Sequence, residues 1–114
     1  MKFEDIERKA RRILQDADEP YRWPSDEMRE HLQEGIHALH SIRPETRYVN
    51  GLLVDAVILP DAEDEEQDFP VEARFEEALV YFVCYKCYLD DDADTTNQGL
   101  AESYLGKFNT KAQL

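Results

Sequence analysis

The sequence has little basic charge, few cysteines and no apolar run of membrane-spanning length. Its 13 Lys and Arg residues stand against 26 Asp and Glu residues, so the formal net charge is −13 and the sequence pI is about 4.5. Binding to nucleic acid or to anionic lipid depends on clustered basic side chains. We therefore expect neither as a ligand. A surface of this chain that faces DNA should repel the DNA backbone.

Two kinds of apolar segment are also missing. The most apolar stretch, Phe75–Leu89, contains charges and is shorter than the roughly 20 apolar residues of a membrane-spanning helix. Met1–Leu14 is charged throughout and lacks the apolar centre of a signal peptide. We therefore expect no association with a membrane. We expect the chain to be made in the cytoplasm of its cell, where its two cysteines should stay free thiols.

Motifs for catalysis are absent from the chain. It has no nucleophile elbow, no Walker A loop, no dinucleotide fingerprint and no H-E-x-x-H pair. The acidic run that begins at Asp90 fails as a calcium loop, because the glycine and glutamate that such a loop needs are missing in both registers. We expect a protein that is not an enzyme and holds no cofactor.

Cysteine and histidine offer the remaining metal or redox candidates. Cys84 and Cys87 form a C-x-x-C pair, but they lie inside an apolar helical run and not at a helix start, where thiols become reactive. A structural zinc would need two further ligands. His31, His37 and His40 are predicted on one exposed helix side without forming a site. A metal or redox role for these residues is the third alternative, after the two functions given below.

One domain of about four helices is the predicted fold, with a short hairpin between helices two and three. The central element is Phe75–Leu89, which is apolar nearly all round and so needs cover on several sides. We expect the other helices, and neighbouring subunits too, to supply that cover. Pro70 is predicted as the first residue of this helix.

The other elements follow from local patterns. Apolar residues from Phe3 to Ala17 recur at helical spacing, Ser25 is a candidate N-cap for the second helix, and Gly35 within it predicts close helix packing. The Asn50-Gly51 step predicts a hairpin turn whose short strands must pack on the helices or pair with another chain. An acidic loop covers 61–68, and the last helix spans about Thr96–Lys111.

Several short motifs occur in order along most of the chain. They are the RWPSDE opening of helix two (Arg22–Glu27), Gly35, Ser41-Ile42-Arg43-Pro44, Leu59-Pro60, the Tyr-rich helix Ala78–Leu89, and a final helix with Tyr104 and Phe108. Together they resemble the small head-to-tail connector, or adaptor, proteins of tailed bacteriophages. The acidic loop 61–68 stands where some relatives have a longer β-rich insertion.

The resemblance implies a structural virion protein at the head–tail junction. Such a protein forms a ring, commonly of twelve copies, below the portal protein. The ring extends the DNA channel, lets genomic DNA pass without sequence-specific binding, and offers a platform to a tail or tail-completion protein. The alternative function is a small acidic partner-binding protein, such as an inhibitor that mimics DNA.

Two sets of residues are predicted to carry these contacts. The basic residues of the first helix could meet acidic residues of a neighbouring copy, and aromatic residues are favoured at interfaces. For Trp23 and the tyrosines, packing inside the chain's own core stays open. The predicted interface set is Arg8, Arg11, Arg12, Trp23, Tyr81, Tyr85, Tyr88, Tyr104 and Phe108. The predicted acidic channel or loop surface is Asp61, Glu63, Asp64, Glu65, Glu66 and Asp68.

Overall fold

The computed structural model of the chain describes residues 1–61, 63, 67–90 and 95–113. The elements are α1 (Phe3–Leu14), α2 (Ser25–Ile42), a 3-10 turn (Pro44–Arg47), β1 (Tyr48–Val49), β2 (Leu52–Leu53), a second 3-10 turn (Ala73–Phe75), α3 (Glu76–Asp90) and α4 (Thr95–Ala112). The prediction of a mainly helical fold with a small hairpin between helices two and three is confirmed.

Helix α3 lies at the centre of the fold. It packs against α1, α2 and α4, with α4 as its most extensive neighbour. Its buried residues cover most of the helix circumference, and Tyr81, Tyr85 and Tyr88 lie half-buried on the remaining flank. The buried residues are Ala78, Leu79, Val80, Phe82, Val83, Cys84 and Cys87. The cover that the apolar sequence demands therefore comes from within one chain, and the composition of α3 does not by itself call for a neighbouring copy.

The start of α3 differs from the prediction. The helix begins at Glu76 after a 3-10 turn, six residues beyond Pro70. Before it, Phe69 and Val71 are buried, and the Phe69 N–H donates to the Met1 carbonyl at 2.9 Å. The Val71 N–H donates to the Phe69 carbonyl at 2.9 Å, which closes a tight turn over Pro70, so Pro70 does not open the helix.

The predicted hairpin turn is confirmed. Strands β1 and β2 pair antiparallel, with Val49 opposite Leu52 next to the turn. Asn50 and Gly51 have φ angles of 51° and 81°. Two successive residues with positive φ form the turn whose twist matches that of the flanking strands, and Asn-Gly is the favoured pair for it.

Gly35 allows α2 and α3 to approach closely, as predicted. A Cβ atom at this position would lie 2.9 Å from Cδ1 of Phe82. The Phe82 ring is held by the rings of Tyr85 and Phe108, with centroid distances of 5.4 and 5.0 Å. A larger side chain at position 35 would have to move this aromatic cluster.

Candidate interaction surface

The segment after the hairpin is held on α2 by side-chain hydrogen bonds. Nε2 of Gln33 donates to the Val57 carbonyl at 2.9 Å, and the Leu59 N–H donates to Oε1 of Gln33 at 2.8 Å. One amide side chain therefore satisfies two backbone groups, as a neighbouring strand would. Val57 and Leu59 are buried, whereas Ile58 between them is exposed, which is the alternation of an extended chain.

Further hydrogen bonds close the base of the hairpin, just before this anchored segment. Beyond the two strands, the Val54 N–H donates to the Arg47 carbonyl at 2.9 Å, and Nε of Arg47 donates to the Val54 carbonyl at 3.0 Å. Arg47 thus closes the base of the hairpin with both its backbone and its side chain. This extra ladder extends a hairpin whose strands are only two residues long.

Four large apolar side chains of this region meet water. The exposed fractions are 58% for Tyr48, 71% for Leu52, 56% for Leu53 and 66% for Ile58. We call these four residues the hairpin surface. The sequence from Tyr48 to Val54 contains no carboxylate, although the whole chain carries 26. Tyr48 pairs with Leu53, so these two side chains share one face of the hairpin, and Leu52 lies on the other face. Exposed apolar side chains next to open strand edges are typical of a contact site.

His40 connects α2 to both ends of the hairpin. Its Nε2 accepts the Val57 N–H at 3.0 Å, and its Nδ1 lies 2.6 Å from Oγ1 of Thr46. Oγ1 of Thr46 in turn lies 2.7 Å from the Arg43 carbonyl, to which it donates. His40 and Thr46 are both buried, so this hydrogen-bond chain joins three segments inside the fold.

The predicted basic face of α1 is divided between interior and surface. Arg11 is buried, so in this structure it is not available for its predicted contact with the acidic residues of a neighbouring copy. Its guanidinium pairs with Asp16 at 2.8 Å and with Glu7 at 2.9 Å, and it lies over the Tyr21 ring. Burial of an arginine requires such paired carboxylates. Arg8 and Arg12 are exposed, and Arg8 pairs with Asp5 of its own helix.

The same buried carboxylate organises the RWPSDE segment. Asp16 accepts the backbone N–H groups of Arg22 and Trp23 at 2.8 and 3.2 Å. Ser25 is the first residue of α2, and Pro24 occupies the N-cap position, so the predicted N-cap is displaced by one residue. The Ser25 hydroxyl instead bonds to Glu7 of α1. The motif therefore positions α2 against α1.

The predicted aromatic interface residues contact one another within the chain. The ring of Trp23 meets that of Tyr88 in α3 edge-on, with 6.3 Å between the centroids. The ring of Tyr88 stacks on that of Tyr104 with 5.7 Å between the centroids, and the ring centroids of Tyr81 and Tyr104 are 5.8 Å apart. The three tyrosines are half-buried. Their interface role stays a prediction, with contacts inside the chain already made.

The remaining two aromatic residues of the predicted interface also contact α3 and α4. Tyr85 is half-buried beside Phe82, and Phe108 is buried against the same ring. Phe108 is part of the core and offers no surface to a neighbour in this structure.

The cysteine pair lies in the core, as predicted. Both thiols are buried, and Sγ of Cys84 lies 3.8 Å from the Ala10 carbonyl. Burial raises the pKa of the Cys84 thiol to about 12, and it raises the pKa of Cys87 as well. Reactive thiols have a lowered pKa, so these two side chains have the opposite property.

The histidines do not share one exposed helix side, so that prediction is wrong. His31 and His40 are buried, and His37 is exposed. Nε2 of His31 lies 3.1 Å from Oδ2 of Asp90. Within the described residues, no three His, Cys, Asp or Glu side chains come together as metal ligands.

The predicted acidic surface is described in part. Asp61, Glu63 and Asp68 are exposed, and Asp68 lies 3.5 Å from the amino terminus of Met1. Asp64, Glu65 and Glu66 lie outside the described residues.

Tyr48, Leu52, Leu53 and Ile58 are not among the site residues predicted from the sequence. The available signal was the contrast between an apolar segment and strands too short to bury it. Comparison with known proteins adds no family: no family model, no curated protein and no solved structure matches the chain. A search of the described helices finds none that is long and apolar enough to cross a membrane.

Proposed function

We propose that this chain is a structural, non-enzymatic subunit of an oligomeric ring, of the kind found as head-to-tail connectors in tailed bacteriophages. The observation that supports association most directly is the hairpin surface. Four large apolar side chains remain exposed on the hairpin and on the segment after it, and Gln33 holds that segment on α2. A rigid apolar projection loses unfavourable contact with water when another protein covers it.

The local charge of the hairpin favours contact between copies there. Two chains that each carry a net charge of −13 repel one another. Contact is least costly where carboxylates are missing, and the hairpin from Tyr48 to Val54 has none. We assign the hairpin surface to the contact with the next copy of the ring.

The acidic surface fits the proposed channel. Exposed carboxylates such as Asp61 and Glu63 would repel the phosphate backbone, so DNA could pass without being held. The portal protein on one side and a tail or tail-completion protein on the other are the proposed partners. In this proposal the assembled protein is located at the head–tail junction of the virion.

The test is the mass of the assembly under native conditions, measured for the chain alone and after co-expression with the portal protein of the same genome. The double variant Leu52→Ser/Leu53→Ser should shift the population toward monomer and weaken assembly at least about tenfold, since two apolar anchors are lost. Leu89→Ser/Leu100→Ser is the matched control, because both leucines are exposed and lie outside the hairpin.

Two results would count against the proposal. One is a wild-type chain that stays monomeric at all concentrations and also fails to join the portal. The other is a hairpin variant that assembles as well as the wild type does.

A further inference from the structure

The hydrogen-bond chain through His40 specifies the protonation state of its ring. A backbone N–H can only donate, so Nε2 of His40 must accept from Val57 and carries no proton. The Arg43 carbonyl can only accept, so the Thr46 hydroxyl donates its proton to it. The Nδ1 atom of His40 must then donate to Oγ1 of Thr46. Every member has a partner only when His40 is neutral with its proton on Nδ1.

A second proton on His40 would break this arrangement. The charged ring has donors at both nitrogens. A proton on Nε2 would face the Val57 N–H across 3.0 Å, so two donors would oppose each other. The hydrogen bond from the Val57 N–H to His40 cannot exist in that state.

The surroundings of His40 favour the neutral ring. It lines an open cleft of about 330 Å³ together with His37 and Ser41 of α2, Arg47 at the hairpin base, and Asp55 after β2. Burial lowers the pKa of His40 most, followed by the nearby His37 and Arg47. Asp55 is the acidic group of this cleft; its carboxylate is fully exposed and lies 4.0 Å from Arg47.

We propose that His40 is a positioning residue for the hairpin surface, holding the Val57 segment on α2 when neutral and releasing it when a second proton binds. The release is local, because Gln33 still holds Val57 and Leu59 through its own hydrogen bonds. It loosens the hairpin base at the point where Thr46 and Val57 meet the same ring. The consequence for assembly rests on the proposed function, whereas the proton-linked release does not.

The test is a pH series on the intact chain by NMR, above the pH at which it unfolds. The nitrogen shifts should report the Nδ1–H tautomer for His40 at neutral pH. As His40 takes up a proton, exchange protection of the Val57 amide, corrected for intrinsic exchange, should fall about tenfold relative to the Leu59 amide. Leu59 is a suitable reference because its amide bonds to Gln33.

Variants separate His40 from its neighbour on the same helix. His37→Gln removes an exposed histidine, and in this variant the protection of the Val57 amide should still fall as His40 takes up a proton. His40→Gln should abolish that response, since a neutral amide can accept the Val57 N–H at every pH. If His40→Gln does not fold, the tautomer and amide series on the wild type still decide the matter.

A His40 ring with its proton on Nε2, or a Val57 amide whose protection does not follow His40 titration, would overturn the proposal. The assembly experiment on Leu52 and Leu53 is independent of this outcome. If the wild-type Val57 amide shows no pH response but assembly depends on Leu52 and Leu53, the His40 role alone is refuted. If the amide responds to pH but assembly does not depend on the two leucines, the ring subunit alone is refuted.

Discussion

Helix α3 and the hairpin surface are both rich in apolar side chains, but they meet water in different ways. Most of the circumference of α3 is buried by α1, α2 and α4 of the same chain. Tyr48, Leu52, Leu53 and Ile58 of the hairpin surface are each more than half exposed. The most apolar stretch of the sequence is therefore satisfied within one subunit, and the capacity for association lies where the fold leaves a shorter apolar segment uncovered.

The comparison is tested most severely by removing an aromatic ring from each region. Phe82→Ala should lower the free energy of unfolding by about 3–5 kcal/mol, because the ring fills the space between Gly35 and Phe108. Tyr48→Ala should change it by less than about 0.5 kcal/mol, since that ring is exposed. Urea denaturation followed by circular dichroism measures both. Similar losses in the two variants would mean that the hairpin is part of the core.

The thiols of α3 report whether the helix is closed. With the pKa of Cys84 raised to about 12, its reaction with a disulfide reagent at pH 8 should be slower than that of a free cysteine by on the order of a thousandfold. Cys87 should be equally protected, and both should react at once in denaturant. Rapid labelling of two thiols in the folded chain would contradict the enclosure of α3.

The polar interior around Asp16 is expected to matter somewhat less than the aromatic core. Asp16→Ala leaves Arg11 buried with one carboxylate fewer and removes the acceptor of two backbone N–H groups, so stability should fall by about 3 kcal/mol. Asp5→Ala is the control, because Asp5 pairs with Arg8 at the surface and should contribute less than about 1 kcal/mol. If denaturant titrations gave the same loss of stability for Asp16→Ala and Asp5→Ala, the buried contacts of Asp16 would contribute no more than a surface ion pair.

The smallest expected effect lies at His40, where α2 meets the base of the hairpin. The pKa of His40 is lowered in the folded chain, chiefly by burial, so the unfolded chain binds more protons as pH falls below about 6.5. His40 should therefore cost stability progressively from about pH 6.5 down to its folded pKa, with a slope of at most about 1.4 kcal/mol per pH unit. Subtracting the His40→Gln profile isolates this contribution from that of the carboxylates. A difference profile without slope would refute the lowered pKa.

Local patterns predicted the elements that depend on neighbouring residues. The Asn50-Gly51 turn requires positive φ at both positions, and these residue types supply it. Gly35 predicted close packing of α2 against another helix, and in the structure Phe82 of α3 lies against it. These features follow from residue type and spacing, so sequence reasoning could identify them.

Contacts between distant segments could not be predicted in the same way. Arg8, Arg11 and Arg12 look alike in sequence, but Asp16 lies only where Arg11 can reach it, so one arginine is buried. The chain before α3 makes a backbone hydrogen bond from Phe69 to Met1, at the other end of the sequence. The exposed hairpin surface likewise depends on how α2 holds residues 57–59 through Gln33 and His40.

The central claim is that the hairpin surface is buried when the protein assembles, and the buried native thiols allow a clear test. Leu52→Cys would introduce an exposed thiol into a chain whose own two cysteines are enclosed. Leu89→Cys, at the exposed end of α3, is the matched control. Labelling rates measured before and after assembly should fall at least about tenfold for Leu52→Cys and stay unchanged for Leu89→Cys. A Leu52→Cys thiol that reacts equally fast in the free and the assembled protein would contradict the account.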